Sequence, residues 1–305
     1  MADQSQTFTY LRRRFHEAGI RPQTRHGQNF LIDLNIVRLI ANAAKLDAHD
    51  VVLEIGTGTG SLTSLLAPQA GHVITVEIDP QMVALAAEEL HRFPNVQQLS
   101  MDALKGKNAI SPIVLDTVRD AMSRIPDARF RLVANLPYNV ATPILSNLLA
   151  CELPPYSMTA TIQKELADRI VAEPGTKDYG SLALWIQAQC DTQIVRVLPP
   201  TVFWPKPKVF SAIVHIVRNE TKRSQIADLS FYHRFVRLLF LHRRKFLRSE
   251  LLAISKSLVE LMGCRLLGKN EVDAILASQS LDPQIRAEQL ELTQVLRLVD
   301  AVRTA

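Results

Sequence analysis

Cysteine is scarce: only Cys151, Cys190 and Cys264 occur in 305 residues, far apart and odd in number. That pattern offers neither a disulfide framework nor the paired spacing of a zinc site, so all three read as reduced core residues in a reducing compartment. Long apolar runs are also missing. No stretch would span a membrane, and the first residues lack the apolar centre of a secretory signal. The expectation is therefore a cytoplasmic protein without membrane attachment. The eight histidines include no H-x-E followed by C-x-x-C, which argues against a zinc deaminase. Neither G-x-x-x-x-G-K-[ST] nor G-x-S-x-G occurs, which removes the commonest NTPase and hydrolase readings. Charge of one sign is not dominant either. Lys and Arg total 35 against 30 for Asp and Glu, a formal charge of +5. Such an excess permits a polyanionic partner and fits a merely solvated basic surface equally well.

What is present begins with Val51-Val52-Leu53-Glu54-Ile55, a β-branched run that breaks into Gly56-Thr57-Gly58-Thr59-Gly60 before an apolar helical stretch from Leu62. This reads as strand, tight glycine turn and helix, with glycines where the backbone bends sharply or a ligand lies against it. Alone, the loop is compatible with cofactor binding through Gly56 and Gly58 or with an ordinary turn. A second strand, His72 to Val76, runs into Glu77, about 20 residues past the glycines, where an acid can hold a ribose diol. A dinucleotide fingerprint would need a third glycine at position 61, which is Ser61. Asp102 falls where a third strand would end. It is either an acceptor for the exocyclic amine of a cofactor's adenine or a helix N-cap.

Asn135-Leu136-Pro137-Tyr138 follows directly on Phe130-Arg131-Leu132-Val133-Ala134, an apolar run that reads as a buried parallel strand. An amide, a rigid proline and an aromatic ring at a strand end suit a flat ring carrying an exocyclic amine, best of all an adenine drawn out of its stack. Further strands are expected at Met158 to Ile162, Ile194 to Leu198 and Ala212 to Val217. The alternation predicts a doubly wound, Rossmann-like α/β domain over residues 1–217 and a smaller helical domain over 218–305. Between the last two strands, Pro199, Pro200, Pro205 and Pro207 make a stiff loop whose Phe203 and Trp204 either stack on a base or pack. An Arg-rich start (Arg12, Arg13, Arg14, Arg21, Arg25) reads as an RNA-contacting arm, with a transit peptide or a solvated arm as alternatives. In the second domain, Arg234, Arg237, Arg244, Lys245 and Arg248 interleave with Phe231, Phe235, Leu238, Leu239 and Phe246 at helical spacing. One face is apolar and the other basic, either solvated or set against phosphates.

Taken together, these segments resemble the KsgA-type ribosomal RNA adenine dimethyltransferases over nearly the whole chain. The resemblance runs through His26-Gly27-Gln28-Asn29-Phe30-Leu31, the glycine loop, Glu77, Asp102, Asn135-Leu136-Pro137-Tyr138-Asn139, Gln163-Lys164-Glu165, Tyr179-Gly180, Pro199-Pro200-Thr201-Val202-Phe203, Arg243-Arg244-Lys245 and Arg286-Ala287-Glu288-Gln289-Leu290. It departs at His26, Thr57, Trp204 and a long Lys105–Arg129 segment. The resemblance implies S-adenosylmethionine as co-substrate, no metal, and dimethylation of N6 on two adjacent adenines near the 3′ end of small-subunit ribosomal RNA. It carries cofactor contacts onto Asn29, Leu31, Gly56, Glu77, Asp102 and Asn135. The expected partner is the assembling small subunit, met by a monomer, with Arg244, Lys245 and Arg248 on phosphates. In the expected chemistry, Asn135 and the Leu136 carbonyl orient the amine, Pro137 stiffens the turn, and Tyr138 stacks on the ring with Phe203 opposite. The alternatives are a large-subunit methyltransferase of the antibiotic-resistance type and a non-catalytic ribosome-assembly factor on the same fold.

Overall fold

A computed structural model describes residues 8–17, 19, 29–106, 109–263 and 265–305. His26, Gly27, Gln28, Arg21, Arg25 and Cys264 lie outside the described residues.

The elements run α1 (Phe8–Glu17), β1 (Phe30–Leu31), α2 (Leu34–Ala43), β2 (Asp50–Ile55), α3 (Thr63–Leu66), β3 (His72–Glu77), α4 (Pro80–Leu90), β4 (Val96–Ser100), α5 (Pro112–Met122) and β5 (Arg129–Asn135). They continue with α6 (Ala141–Ala150), β6 (Ser157–Gln163), α7 (Lys164–Ile170), α8 (Ser181–Gln187), β7 (Cys190–Leu198), β8 (Phe203–Trp204), β9 (Ser211–Arg218), α9 (Glu220–Arg223), α10 (Leu229–Leu239), α11 (Leu247–Met262), α12 (Lys269–Ser278) and α13 (Leu292–Thr304). Seven strands form one sheet in the order β4-β3-β2-β5-β6-β9-β7. β4, β3, β2, β5 and β6 are mutually parallel and β9 runs antiparallel to β6. All six residues of β2 are buried, the outcome expected where helices cover both faces of a parallel sheet.

Local chemistry sets the boundaries. Asp33 and Asp79 cap α2 and α4 by accepting from Asn35 and Gln81 N–H groups, and Pro80 and Pro112 open α4 and α5 at the first turn, where a missing N–H costs nothing. α2 buries Ile36, Val37, Ile40 and Ala41 on one stripe. That stripe joins Val52, Val73, Val133, Leu198, Phe203 and Ile213 in a core on the sheet. The helix expected after the glycine turn is a single turn, α3.

The chain divides into two compact units: residues 1–167 with 193–217, and residues 168–192 with 218–305. Residues 168–192, placed in the first domain by the sequence reading, therefore belong to the second unit. That unit is built around Trp185 of α8, whose indole stacks on His233 of α10 at 4.0 Å and lies 6.4 Å from Tyr232. The Tyr232 hydroxyl donates to the Leu184 carbonyl at 3.0 Å. Burial holds the His233 imidazole down to about 4, so it stays a neutral stacking partner.

Candidate active site

The carboxyl ends of β2, β3, β4 and β5 converge on a cavity of about 250 Å³, where ligands bind in parallel α/β sheets. Its glycine turn holds Gly56 at φ +88° and Gly58 at φ +53°, left-handed values that a side chain resists. The Gly56 N–H donates to the Val76 carbonyl at 2.8 Å. A Cβ on Gly56 would stand 3.5 Å from Pro137 Cδ and 3.7 Å from the Asn135 carbonyl oxygen. The two halves of the site read separately from the sequence thus meet at this turn.

Glu77 ends β3, largely buried. Its Oε2 accepts from the Gly58 N–H and its Oε1 from the Asp79 N–H, both at 3.0 Å. The acid that the sequence marks for a ribose therefore also braces the glycine turn. Burial raises its pKa, the two N–H bonds opposing. Asp102 sits two residues beyond β4 with Oδ1 accepting from the Leu104 N–H at 2.9 Å, in a turn and at no helix start. Asn135 closes β5, and its Nδ2 donates to the Asn29 carbonyl at 2.9 Å, leaving Oδ1 as the side chain's acceptor. The Leu136 N–H is held by the Thr161 carbonyl at 3.1 Å, and the Val140 N–H donates to the Pro137 carbonyl at 3.1 Å, closing a turn that feeds α6. The Tyr138 hydroxyl meets Ser211 Oγ at 2.5 Å. Asn29, Leu31, Gly56, Gly58, Glu77, Asp102, Asn135, Leu136, Pro137 and Tyr138 all line the cavity.

Phe203 does not. It is 2% exposed, its ring lies in the core with Leu31, Val37 and Leu198, and its backbone pairs with Leu31 in an antiparallel ladder with β1. A ring committed to the core has no free face for a base, so the expected stacking role opposite Tyr138 is overturned. Phe203 instead holds in place the segment that brings Leu31 to the cavity. The RNA-contacting arm changes as well. Over Phe8–Glu17 it is a helix whose buried Phe15 meets Phe30 at 5.1 Å and Trp204 at 5.3 Å. Arg13 and Arg14 are ion-paired with Glu17 and Glu88.

In the second unit the basic helical face is interrupted. Arg244 and Lys245 are exposed in the turn between α10 and α11 rather than one turn before Arg248 on a common helix. Arg248 is clamped by Asp273, with Nε to Oδ1 at 2.5 Å and Nη2 to Oδ2 at 2.8 Å. A guanidinium engaged in such a fork is not free to take a phosphate, so Arg248 leaves the phosphate-binding set.

One part of the site was not anticipated. Glu54 is 1% exposed and lines the cavity. Its Oε2 accepts from Thr63 Oγ1 at 2.5 Å and from Thr75 Oγ1 at 2.8 Å, and Thr57 Oγ1 meets Thr75 Oγ1 at 2.6 Å. Because the Thr75 proton goes to Glu54, Thr57 donates to Thr75. Burial drives Glu54 up to about 8, partly offset by the two hydroxyls, with Glu77 nearby adding to the rise. An acid interrupting the apolar run 51–55 is the signal that marks it in the sequence.

Three carboxyls and no cationic side chain are among the described lining residues. Carboxyls without a cation among the described lining residues disfavour a pyrophosphate and suit a nucleoside that carries positive charge. S-adenosylmethionine fits that description. Among the described residues no group of three or more His, Cys, Asp or Glu stands close enough to hold a metal ion. Fold and cavity define an S-adenosylmethionine-dependent methyltransferase of the Rossmann-like class.

Comparison narrows the class. The model of the family described as ribosomal RNA adenine dimethylase matches residues 20–288. The chain is 36% identical to a ribosomal RNA small subunit methyltransferase A of Streptococcus thermophilus, over 100% of this chain and 99% of the relative. It is 38% identical to one of Streptococcus pyogenes, over 91% and 90%. Among solved structures it is similar to a dimethyladenosine transferase from Plasmodium falciparum, with a TM-score of 0.71 and 25% identity over 88% of this chain and 95% of that one. It is also similar to the 23S rRNA methyltransferase ErmE, with a TM-score of 0.61 and 26% identity over 90% and 99%. The chain belongs to the ribosomal RNA adenine dimethylase family.

Proposed function

We propose that the protein dimethylates N6 of two adjacent adenines near the 3′ end of small-subunit ribosomal RNA, as a cytoplasmic monomer acting on the assembling small subunit. The observation that carries this reading is the approach of Pro137 to Gly56, which sets the Asn135-Leu136-Pro137-Tyr138 turn against the glycine turn of the donor pocket in one cavity.

S-adenosylmethionine supplies a methyl group on a positively charged sulfur. The residues of the chain then have one task, presentation of a poor nucleophile whose lone pair is delocalised into the adenine ring. Asn135 Oδ1, oriented because Nδ2 is held by Asn29, accepts one N6 hydrogen and the Leu136 carbonyl the other, which draws the nitrogen towards a pyramidal shape. Pro137 fixes the backbone between these acceptors and the Tyr138 ring. Tyr138, tethered through Ser211, lies along the base. The contribution is orientation rather than acid–base chemistry. Glu77 holds the ribose and Asp102 the cofactor's adenine amine. Arg244 and Lys245 contact phosphates and position the RNA without reading its bases.

Incubation with labelled S-adenosylmethionine and unmethylated small subunits, followed by nucleoside mapping, is expected to yield N6,N6-dimethyladenosine at two neighbouring positions. Label on large-subunit RNA alone, or none at all, would overturn the proposal. Asn135→Ala should lower single-turnover methylation by roughly 100-fold, a fall of the size seen when one preorganised polar group is removed from an active site, with RNA binding retained.

A further inference from the structure

We propose that the segment Lys206–Phe210 is a docking site for the RNA nucleotide next to the target adenine, with Phe210 as its stacking platform; the inference rests on the functional reading above. Phe210 is 52% exposed and Val209 43%, a large apolar surface to leave in water one residue from an active-site anchor. Ser211 immediately follows, and its Oγ holds the Tyr138 hydroxyl. The platform is fixed at its base: the Phe210 carbonyl accepts from the Lys164 N–H at 2.9 Å, and Ser211 pairs with Gln163 in the β6–β9 ladder. Lys206 and Lys208 are exposed and make no ion pair among the described residues, so their charge is available to the phosphates on either side of a stacked base.

The chemistry points to unpaired RNA. An exposed ring with cationic side chains on the same segment is an arrangement that binds single strands, because every base has a π-face and every linkage a negative charge. A target adenine drawn into the cavity beside Tyr138 loses its stack on its neighbour. That neighbour, one backbone step away, gains a replacement surface on Phe210. With Phe203 committed to the core, Phe210 supplies an exposed ring next in sequence to Ser211, which holds Tyr138.

The test uses a small-subunit ribosomal RNA fragment with 2-aminopurine next to the methylated adenine. Binding of the parent protein should quench the probe. Phe210→Ala should abolish the quench and raise KM for RNA about tenfold to a hundredfold, while S-adenosylmethionine affinity, thermal midpoint and single-turnover rate at saturating RNA stay unchanged. Phe210→Tyr should restore both quench and KM. Changing Lys206 and Lys208 to Gln should lower the log–log salt slope of binding by about one unit each. Parent-like quenching and KM in Phe210→Ala, or a folded Phe210→Tyr that behaves like Ala, would overturn the inference. A parent protein that neither binds this RNA nor methylates small subunits would instead overturn the functional reading on which the inference rests.

Discussion

Two carboxyls lie fully buried at opposite ends of one strand, and their surroundings could hardly differ more. At the start of β2, Asp50 takes the Nε of Arg129 at 3.0 Å and the Nε of Arg131 at 2.7 Å, and Arg131 also donates to Ser157 Oγ at 3.0 Å. Tyr156 covers the Arg131 guanidinium at 4.9 Å. At the end of the strand, Glu54 has two threonine hydroxyls and the nearby charge of Glu77, with no cationic side chain among the described residues that line its cavity. One end of the sheet is a neutralised ionic foundation. The other holds a carboxyl that burial keeps protonated up to about pH 8, and it lines the cavity.

The comparison breaks most visibly at Asp50. Asp50→Ala strands the buried Arg131 charge and should cost about 3–5 kcal/mol in urea unfolding, with the wild-type cofactor affinity kept by the molecules that remain folded. A variant of parental stability would remove the foundation role. At the cavity end, Glu77→Ala should weaken S-adenosylmethionine binding by about 1.5–3 kcal/mol in calorimetric titration, with the fold intact. An unchanged Kd would place the donor elsewhere.

Glu54 sharpens the contrast through pH. Its folded pKa of about 8 stands above the ordinary 4.5, so the folded protein binds the extra proton between those values, and stability falls as pH rises through that window. Glu54→Gln stays neutral and can still accept from both threonines. Relative to the parent it should gain on the order of 1–3 kcal/mol between pH 5 and pH 8, read from denaturation at each pH. A constant difference between the two proteins would show that Glu54 is ionised throughout. The smallest effect carries the same distinction into the second unit, where Arg244 and Lys245 make no ion pair among the described residues and Arg248 is paired with Asp273. Changing Arg244 and Lys245 to Gln should flatten the salt dependence of subunit binding by about one log–log unit for each phosphate no longer neutralised. Arg248→Gln should leave the slope unchanged, because Asp273 already neutralises that guanidinium.

The strands and their carboxyl-end residues were legible in the sequence because each is a local pattern: a β-branched run, then a glycine, an acid or an amide at its end. Glu77, Asp102 and Asn135 came into one cavity because parallel strands deliver their ends to one side of a sheet. What stayed hidden depends on pairings through space. Phe203 reads as an available aromatic until β1 is seen beside it. Arg248 reads as a free cation until Asp273, 25 residues on, reaches it. The basic stripe reads as one helix because spacing alone does not register that the chain turns between Leu239 and Leu247. Glu54 passes in the sequence as one member of a strand-like run, because its surroundings come from Thr63 and Thr75 on two other elements.

The make-up of the second unit bears on how this enzyme can be taken apart. A fragment cut at the apparent junction, residues 218–305, would carry Tyr232 and His233 without Trp185 or the Leu184 carbonyl, and Arg243 without the carbonyls of Lys177 and Tyr179 that it grips at 2.9 and 2.8 Å. Exchange of this unit between relatives therefore calls for a transplant of two stretches, 168–192 together with 218–305. A chimera joined at a single point would inherit half of one hydrophobic centre from each parent.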